Sequence, residues 1–281
     1  MDYTTLIEPA ELAAHLADPA WVVVDCRFEL SNPSAGSRQY ADGHIPGARY
    51  AHLDADLSGP VTARTGRHPL PPPERFARTL GAWGIDNSSQ VVAYDDASGA
   101  LASRLWWMLR WVGHRKVAVL NGGLKAWVNA GHPLSNRMPV VTPTTFNPTV
   151  DSGAAVSVED VIKGLDSGTL VLVDARARDR FAGQNETFDP VAGHVPGARN
   201  HPFASNLDAA GRFLTAAELR EKWRAVLGET TGRTVVSMCG SGVTACHNLL
   251  ALEASGLRGA RLYPGSWSEW IRDPERPVAT R

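Results

Sequence analysis

Short apolar runs rich in valine alternate along the chain with longer amphipathic stretches. Runs such as Val91–Tyr94 and Thr234–Met238 have apolar residues at neighbouring positions, which predicts strands buried on both faces, as in a parallel sheet. The stretches between such runs, for example Glu74–Trp83 and Ala216–Leu227, have apolar residues at helical spacing. This alternation predicts an α/β fold in which helices flank a mainly parallel sheet.

The same pattern predicts further elements in both halves of the sequence. The remaining strands are predicted at Trp21–Val24, Val117–Leu120, Leu170–Val173 and Ala260–Tyr263, and the remaining helices at Ser103–Trp111 and Val158–Leu165. The segments Glu8-Pro9-Ala10-Glu11-Leu12 and Ser157-Val158-Glu159-Asp160 have residues typical of a helix start.

The sequence contains an internal repeat. The segment Val22–Arg27 recurs as Val171–Arg176, and the turn Gly43–Arg49 recurs as Gly193–Arg199. Because the matching elements come in the same order, two similar tandem domains are predicted. We place the N-terminal domain at 1–135 and the C-terminal domain at 154–281. Residues 136–153, rich in Pro, Thr and Asn, are predicted to be an extended linker.

The repeat separates residues needed by the fold from candidates for function. Both halves have an Asp-x-Arg segment after a strand, which we interpret as a buried ion pair, and a histidine in a Gly-His-x-Pro-Gly turn, which we interpret as a hydrogen-bonded turn residue. These shared residues are Asp25, Arg27 and His44 in the first half and Asp174, Arg176 and His194 in the second.

Two features occur in the second half only. Aligning Ser98-Gly99 with Ser241-Gly242 places Asp96 opposite Cys239, so the first half has a carboxylate where the second has a thiol. Arg180 is the other unique feature, since the matching residue is Ser31. A thiol and an additional arginine together predict a site for an anionic sulfur compound, with Cys239 as nucleophile and the first domain catalytically silent.

Cys239 begins a loop of small residues between a predicted strand and a helix. Gly240 and Gly242 allow the backbone to turn its N–H groups inward, while Ser241 and Thr244 offer hydroxyl groups, and Val243 completes the loop. Converging amides and a helix N-terminus favour a thiolate, and they would equally hold a persulfide anion. The alternative is a buried structural cysteine in a turn.

Composition and charge argue against several classes of function. The 281 residues carry a formal net charge of −1, so no overall field draws the chain to nucleic acid. No apolar run approaches the ~20 residues of a membrane span, and Met1-Asp2-Tyr3-Thr4 has no feature of a secretory signal. The number and spacing of the three cysteines indicate neither a disulfide framework nor a zinc site. A cytoplasmic location is expected.

These motifs together resemble a tandem-domain rhodanese, the thiosulfate and 3-mercaptopyruvate sulfurtransferase family. The resemblance runs from Val22 to Trp270. It depends on the two Asp-x-Arg segments, the two Gly-His turns, the loop Cys239–Ala245 and the ending Gly265–Trp270. The resemblance implies two rhodanese-like domains, of which the second carries the reactive cysteine.

The family's activity is a double displacement without a metal or organic cofactor. The resemblance implies that Cys239 takes a sulfur from 3-mercaptopyruvate or thiosulfate, forms a persulfide, and passes the sulfur to cyanide, a small thiol or thioredoxin. Arg180 matches the family's substrate-binding arginine. The loop resembles the mercaptopyruvate type, yet the second arginine that such enzymes have before the Gly-His turn is missing from Glu186–Ala192. A Ser–His pair of that type would map to Ser241 and His44.

Two other functions are consistent with this kind of fold. A phosphatase would need an arginine six positions after the cysteine to hold the phosphoryl group, and Ala245 stands there. A non-catalytic regulatory or binding module commonly loses the cysteine, whereas this chain has Cys239 and its loop.

Overall fold

The structure is a computed structural model that describes residues 2–228 and 232–280. The chain forms two compact units, one built from residues 1–59, 71–151 and 209–212, the other from residues 60–70, 152–208 and 213–281. Residues 60–70 therefore belong to the second unit although they lie in the first half of the sequence. In the part of the chain that the structure describes, no helix is long and apolar enough to cross a membrane.

The first unit is a parallel sheet flanked by helices. Its five strands have the order β1-β5-β4-β2-β3, and every pairing is parallel. The strands are β1 (Leu6–Ile7), β2 (Trp21–Asp25), β3 (Arg49–Tyr50), β4 (Gln90–Tyr94) and β5 (Val117–Leu120). The helices are α1 (Pro9–His15), α2 (Ala35–Asp42), α3 (Pro73–Ala82), α4 (Ala102–Trp111) and α5 (Gly123–Asn129).

The second unit repeats this plan with four strands. The order is β7-β6-β8-β9, again with parallel pairs only. The strands are β6 (Leu170–Asp174), β7 (Arg199–Asn200), β8 (Thr234–Met238) and β9 (Arg261–Leu262). The helices are α6 (Val158–Asp166), α7 (Arg178–Phe181), α8 (Ala216–Leu227), α9 (Ala245–Ala254) and α10 (Ser266–Trp270), with a 3₁₀ turn at Phe203–Asn206. The predicted α/β fold is confirmed.

The central strands β4 and β8 consist mostly of apolar residues, and their middle residues are buried. Val92 in β4 and Val236 in β8 are fully buried. In the second unit, helix α9, which follows β8, has eight consecutive buried residues from Ala245 to Leu252. Its position relative to β8 is therefore fixed by packing on all sides. The residues between β8 and α9 are thereby held at the carboxyl edge of the sheet, where ligand sites of open α/β folds lie.

Residues 136–150 contain no helix or strand and are part of the first unit. The backbone amides of Thr144 and Thr149 donate to the carbonyls of Gly81 and Val112 at 2.9 Å each. These bonds satisfy backbone groups that regular structure would otherwise pair. The role of the stretch as a linker stays a prediction.

The residues shared by the two halves have the predicted structural contacts. Asp25 and Arg27 form a buried ion pair of 2.6 Å, and Asp174 and Arg176 repeat it at the same distance. Each arginine also donates to the carbonyl of the glycine that opens the Gly-His turn. The pair thus fastens the turn to the end of the strand.

Candidate active site

The thiol of Cys239 is surrounded by backbone amides at the end of β8. Its sulfur accepts hydrogen bonds from the amides of Ser241, at 3.4 Å, and Gly242, at 3.1 Å. The loop of residues 239–244, which we call the Cys239 loop, leads directly into α9. Two amides and the positive end of a ten-residue helix stabilise a negative charge on this sulfur.

The first two residues of the Cys239 loop are fixed by α10. The amide of Cys239 donates to Oγ of Ser266 at 3.0 Å, and its carbonyl accepts from the amide of Trp267 at 3.0 Å. The carbonyl of Gly240 accepts from the amide of Ser268 at 2.9 Å. The backbone that aims the amides is therefore held by neighbours outside the loop.

Gly242 is required by the geometry of the loop. Its φ is +78°, which disfavours residues with a side chain, and an added Cβ would lie 2.4 Å from the carbonyl oxygen of Pro264. The turn that brings the Gly242 amide to the sulfur is thus available only to glycine. Val243 is buried, and Thr244 is the residue before the first turn of α9.

Cys239 is shielded from water, with an exposed fraction of only 2%. The amides of Ser241 and Gly242 nevertheless point at the sulfur, as the loop sequence predicts.

In the first unit, the loop that corresponds to the Cys239 loop is built around a carboxylate. Tyr94 pairs with Asp25 as Met238 pairs with Asp174, so the residue that corresponds to Cys239 is Asp95. Its side chain accepts four backbone amides, from Ala97, Gly99, Leu101 and Ala102, at 2.7–2.9 Å. The alignment that placed Asp96 opposite Cys239 is wrong by one position.

The reason is a difference in loop length. Asp95 precedes Ala102, the first residue of α4, by seven positions, whereas Cys239 precedes Ala245, the first residue of α9, by six. An alignment through the shared Ser-Gly pair shifts the strand end by one residue. The conclusion that the first unit has a carboxylate in place of the thiol still holds.

The histidine next to Ser241 is His68, not His44. Nδ1 of His68 lies 2.7 Å from Oγ of Ser241, and both residues are buried. The ring nitrogens of His44 instead lie 2.7 Å and 3.1 Å from the carbonyl oxygens of Tyr40 and Arg137. The predicted pairing of Ser241 with His44 is therefore corrected: His44 is a turn residue of the first unit, as is its counterpart His194 in the second.

Arg180, the predicted substrate-binding residue, belongs to a row of alternating charges beside the Cys239 loop. Nε and Nη2 of Arg180 donate to both carboxylate oxygens of Glu186 at 2.7–3.2 Å. Glu186 also contacts Arg176 at 3.4 Å. On the other side, Asp189 lies 3.5 Å from Nη2 of Arg180 and accepts a hydrogen bond from Arg67.

Comparison with known proteins places this geometry in a family. The sequence matches the rhodanese-like domain over residues 8–130 and 157–273. The chain belongs to the rhodanese-like domain family. A probable 3-mercaptopyruvate sulfurtransferase from Pseudomonas aeruginosa is 48% identical over 282 residues, which cover 100% of this chain and 99% of that protein.

Other relatives agree on the family. A putative thiosulfate sulfurtransferase from Mycobacterium tuberculosis is 40% identical over 97% of this chain and 96% of its own length. The solved structure of 3-mercaptopyruvate sulfurtransferase from Leishmania major has a TM-score of 0.84 and 34% identity, covering 96% of this chain and 76% of that one. The chain is thus similar to sulfurtransferases that are named for two different donors.

Arg67 and His68 were not found by the sequence analysis. They lie in residues 60–70, where no helix or strand is formed, and no periodic pattern draws attention to them. The amide of Arg67 donates to Oγ of Ser268 at 3.0 Å, so this segment lies beside α10 within the second compact unit. The repeat offered a signal for His68 only, because Gly66-Arg67 recurs as Gly211-Arg212 before the following helix, whereas Phe213 stands opposite His68.

Proposed function

We propose that this chain is a sulfurtransferase that moves a sulfane sulfur from 3-mercaptopyruvate or thiosulfate to a thiophilic acceptor through a persulfide on Cys239. The observation that carries the proposal is the pair of amides, from Ser241 and Gly242, that donate to the cysteine sulfur. Such a site favours the anionic sulfur before the transfer and accommodates the persulfide anion after it.

The first half-reaction forms an S–S bond and breaks the bond that holds the donor's outer sulfur. With 3-mercaptopyruvate, the Cys239 thiolate attacks the thiol sulfur, the carbon–sulfur bond breaks, and its electron pair leaves as the enolate of pyruvate. The proton of the donor thiol ends on that carbon, so pyruvate and a persulfide anion result. With thiosulfate, the electron pair leaves with sulfite, and no proton moves.

Ser241 and His68 are suited to the proton transfer that 3-mercaptopyruvate requires. The serine hydroxyl lies 2.7 Å from the imidazole, and its residue also supplies an amide to the sulfur. A hydroxyl in this place can pass a proton between donor and imidazole within hydrogen-bond reach. Arg180 binds the carboxylate or sulfonate end of the donor in this proposal.

The second half-reaction returns Cys239 to the thiolate. A nucleophilic acceptor attacks the outer sulfur of the persulfide and leaves with it, so cyanide yields thiocyanate and a thiolate yields a new persulfide. A small thiol or thioredoxin is the proposed biological acceptor. A reducing cytoplasm is the proposed location, which suits Cys26, Cys239 and Cys246 being free of disulfide bonds.

Steady-state kinetics with both donors test the proposal. The wild-type chain should transfer sulfur from at least one donor to cyanide, and Cys239→Ser should abolish transfer from both. Cys246→Ser is the matched control, since Cys246 is buried on α9 and its thiol contacts the carbonyl of Gly242 at 3.4 Å.

The alternatives have their own outcomes in the same experiment. Wild-type protein that takes up no sulfur from either donor would favour a binding module. Release of phosphate from an aryl phosphate would favour a phosphatase, although Ala245 stands where the phosphoryl-binding arginine would be needed.

A further inference from the structure

Two arginines and one carboxylate surround the backbone of Gly240, the residue after the reactive cysteine. A Cβ placed on Gly240 would lie 3.1 Å from Nη2 of Arg67, 3.5 Å from Nη2 of Arg180 and 3.8 Å from Oδ2 of Asp189. Arg180 matches the family's substrate arginine, whereas Arg67 comes from the separate segment 60–70. A donor bound over Gly240 would therefore contact all three side chains.

The positive and negative charges of the row beside the Cys239 loop cancel. The row consists of three arginines and three carboxylates, and every member contacts a partner of opposite sign within 3.5 Å. Its members are Arg67, Arg176, Arg180, Asp174, Glu186 and Asp189. Apart from the cysteine itself, the donor site is thus close to neutral, which is unfavourable for a ligand with two negative charges.

Asp189 has an oxygen that is buried and not hydrogen-bonded. Its side chain is 2% exposed, and no group among residues 2–228 and 232–280 donates a hydrogen bond to Oδ2. A buried carboxylate oxygen without a donor is unfavourable. A ligand that brings its own hydrogen-bond donor would satisfy it. A thiol-bearing donor has an S–H group, whereas thiosulfate has no hydrogen at all.

We propose that Arg67 is the second donor-binding arginine and that its ion pair with Asp189 selects singly charged, thiol-bearing donors over dianions. The inference rests on the proposed sulfurtransferase function and assigns its donor class, an α-keto carboxylate with a neutral thiol. Arg67 and Arg180 together bind the carboxylate. Asp189 lies beside both guanidinium groups, where it keeps the site neutral and accepts from the donor thiol.

Arg67 is also placed to move when a donor enters. Its side chain is 29% exposed, whereas that of Asp189 is 2% exposed. The backbone of Arg67 is held by Ser268 at 3.0 Å, so movement is confined to the side chain. Burial lowers the pKa of Arg67, and the nearby sulfur of Cys239 opposes this shift.

Three variants test the inference through the ratio of kcat/KM for 3-mercaptopyruvate to kcat/KM for thiosulfate. Asp189→Asn removes one negative charge while keeping the shape, and it should lower this ratio about tenfold, mainly by improving the use of thiosulfate. Arg67→Gln should lower kcat/KM for 3-mercaptopyruvate about tenfold through KM. Arg64→Gln is the control, because Arg64 is an exposed arginine of the same segment. This variant should leave kcat/KM unchanged for both donors.

A second measurement uses the wild-type chain alone, so that it does not depend on the folding of any variant. Pyruvate, a singly charged keto acid, should inhibit competitively at a lower concentration than the dianion sulfate. An unchanged donor ratio in folded Asp189→Asn, or tighter inhibition by sulfate, would overturn the inference while leaving the sulfurtransferase function intact. A wild-type chain inactive with both donors would instead overturn the proposed function itself.

Discussion

Nδ1 of His68 lies 2.7 Å from Oγ of Ser241, and the amide of the same serine donates to the sulfur of Cys239. One residue thus links the group that stabilises the thiolate to a group that can carry a proton. The two roles use different atoms, the amide and the hydroxyl. They can therefore be separated by substitution, because Ser241→Ala removes the hydroxyl and keeps the amide.

We predict that Ser241→Ala and His68→Gln each lower kcat with 3-mercaptopyruvate by about 100-fold, the usual effect of losing a general acid–base group. Transfer from thiosulfate requires no proton and should fall much less. Parallel steady-state assays of the two donors with cyanide as acceptor measure the difference.

His44→Gln provides the control for this pair. His44 contacts two backbone carbonyls in the first domain, so its loss should lower the melting temperature without changing the donor ratio. Equal losses with both donors in Ser241→Ala would contradict a role in proton transfer.

Gly242→Ala should disrupt the Cys239 loop. Its φ of +78° is unfavourable for alanine, and the new Cβ would lie 2.4 Å from a backbone oxygen. We expect a loss of about 3 kcal/mol in the free energy of unfolding, together with loss of activity. Gly168→Ala is matched in φ, at +68°, but meets no atom within 4 Å. It should lose only about 1 kcal/mol in a denaturant titration, and equal losses would contradict the steric argument.

Asp95→Asn should affect stability rather than catalysis. The carboxylate accepts four backbone amides, and an asparagine would turn an NH₂ donor toward some of them. We expect a loss of about 3 kcal/mol in the free energy of unfolding, measured by chemical denaturation, with the specific activity of the folded protein retained. A variant that is stable but inactive would contradict the structural role assigned to Asp95.

Acid should destabilise the second domain through His201. Burial lowers the pKa of His201 from its ordinary value of 6.5, although a hydrogen bond with Asn206 opposes the shift. Below pH about 6.5 the unfolded chain therefore binds a proton more readily than the folded one. The stability contributed by the neutral histidine is complete above that pH and is lost as the pH falls toward the folded pKa.

The measurement is the free energy of unfolding between pH 8 and pH 5, in wild type and in His201→Gln. The variant should show a smaller decline over this range. A decline as steep as that of the wild type would contradict the contribution of His201.

The fold could be predicted from sequence because its strands are buried on both faces. The run Thr234–Met238 is the strand β8 at the predicted bounds, and the helix predicted at Ala216–Leu227 is α8. The bounds of short elements were less well defined: Ala260–Tyr263 shortens to Arg261–Leu262, which pairs with β8 on one side and forms a single bridge with Ala155 on the other. The internal repeat supplied the domain organisation that such short elements alone could not.

The candidate site was only partly predictable. Cys239 and its loop are continuous in sequence, so their local pattern identifies them. Arg67 and His68 lie about 170 residues away from Ser241 and come close to the Cys239 loop only through the packing of an irregular segment. Side chains brought together by such a segment leave no periodic signal, and the repeat does not single out Arg67, because Gly66-Arg67 recurs as Gly211-Arg212.

The central claim is that Cys239 alone carries the transferred sulfur. The most direct test incubates the wild-type chain with 3-mercaptopyruvate or thiosulfate without acceptor, blocks thiols, and maps added sulfur by peptide mass spectrometry. Cys26 and Cys246 serve as internal controls, since their thiols contact the carbonyls of Val24 and Gly242, whereas the sulfur of Cys239 accepts from backbone amides. Burial also raises the pKa of Cys26. The account predicts one additional sulfur atom on the Cys239 peptide only, removed by cyanide. Sulfur on another cysteine, or none on Cys239 while the enzyme turns over, would contradict it.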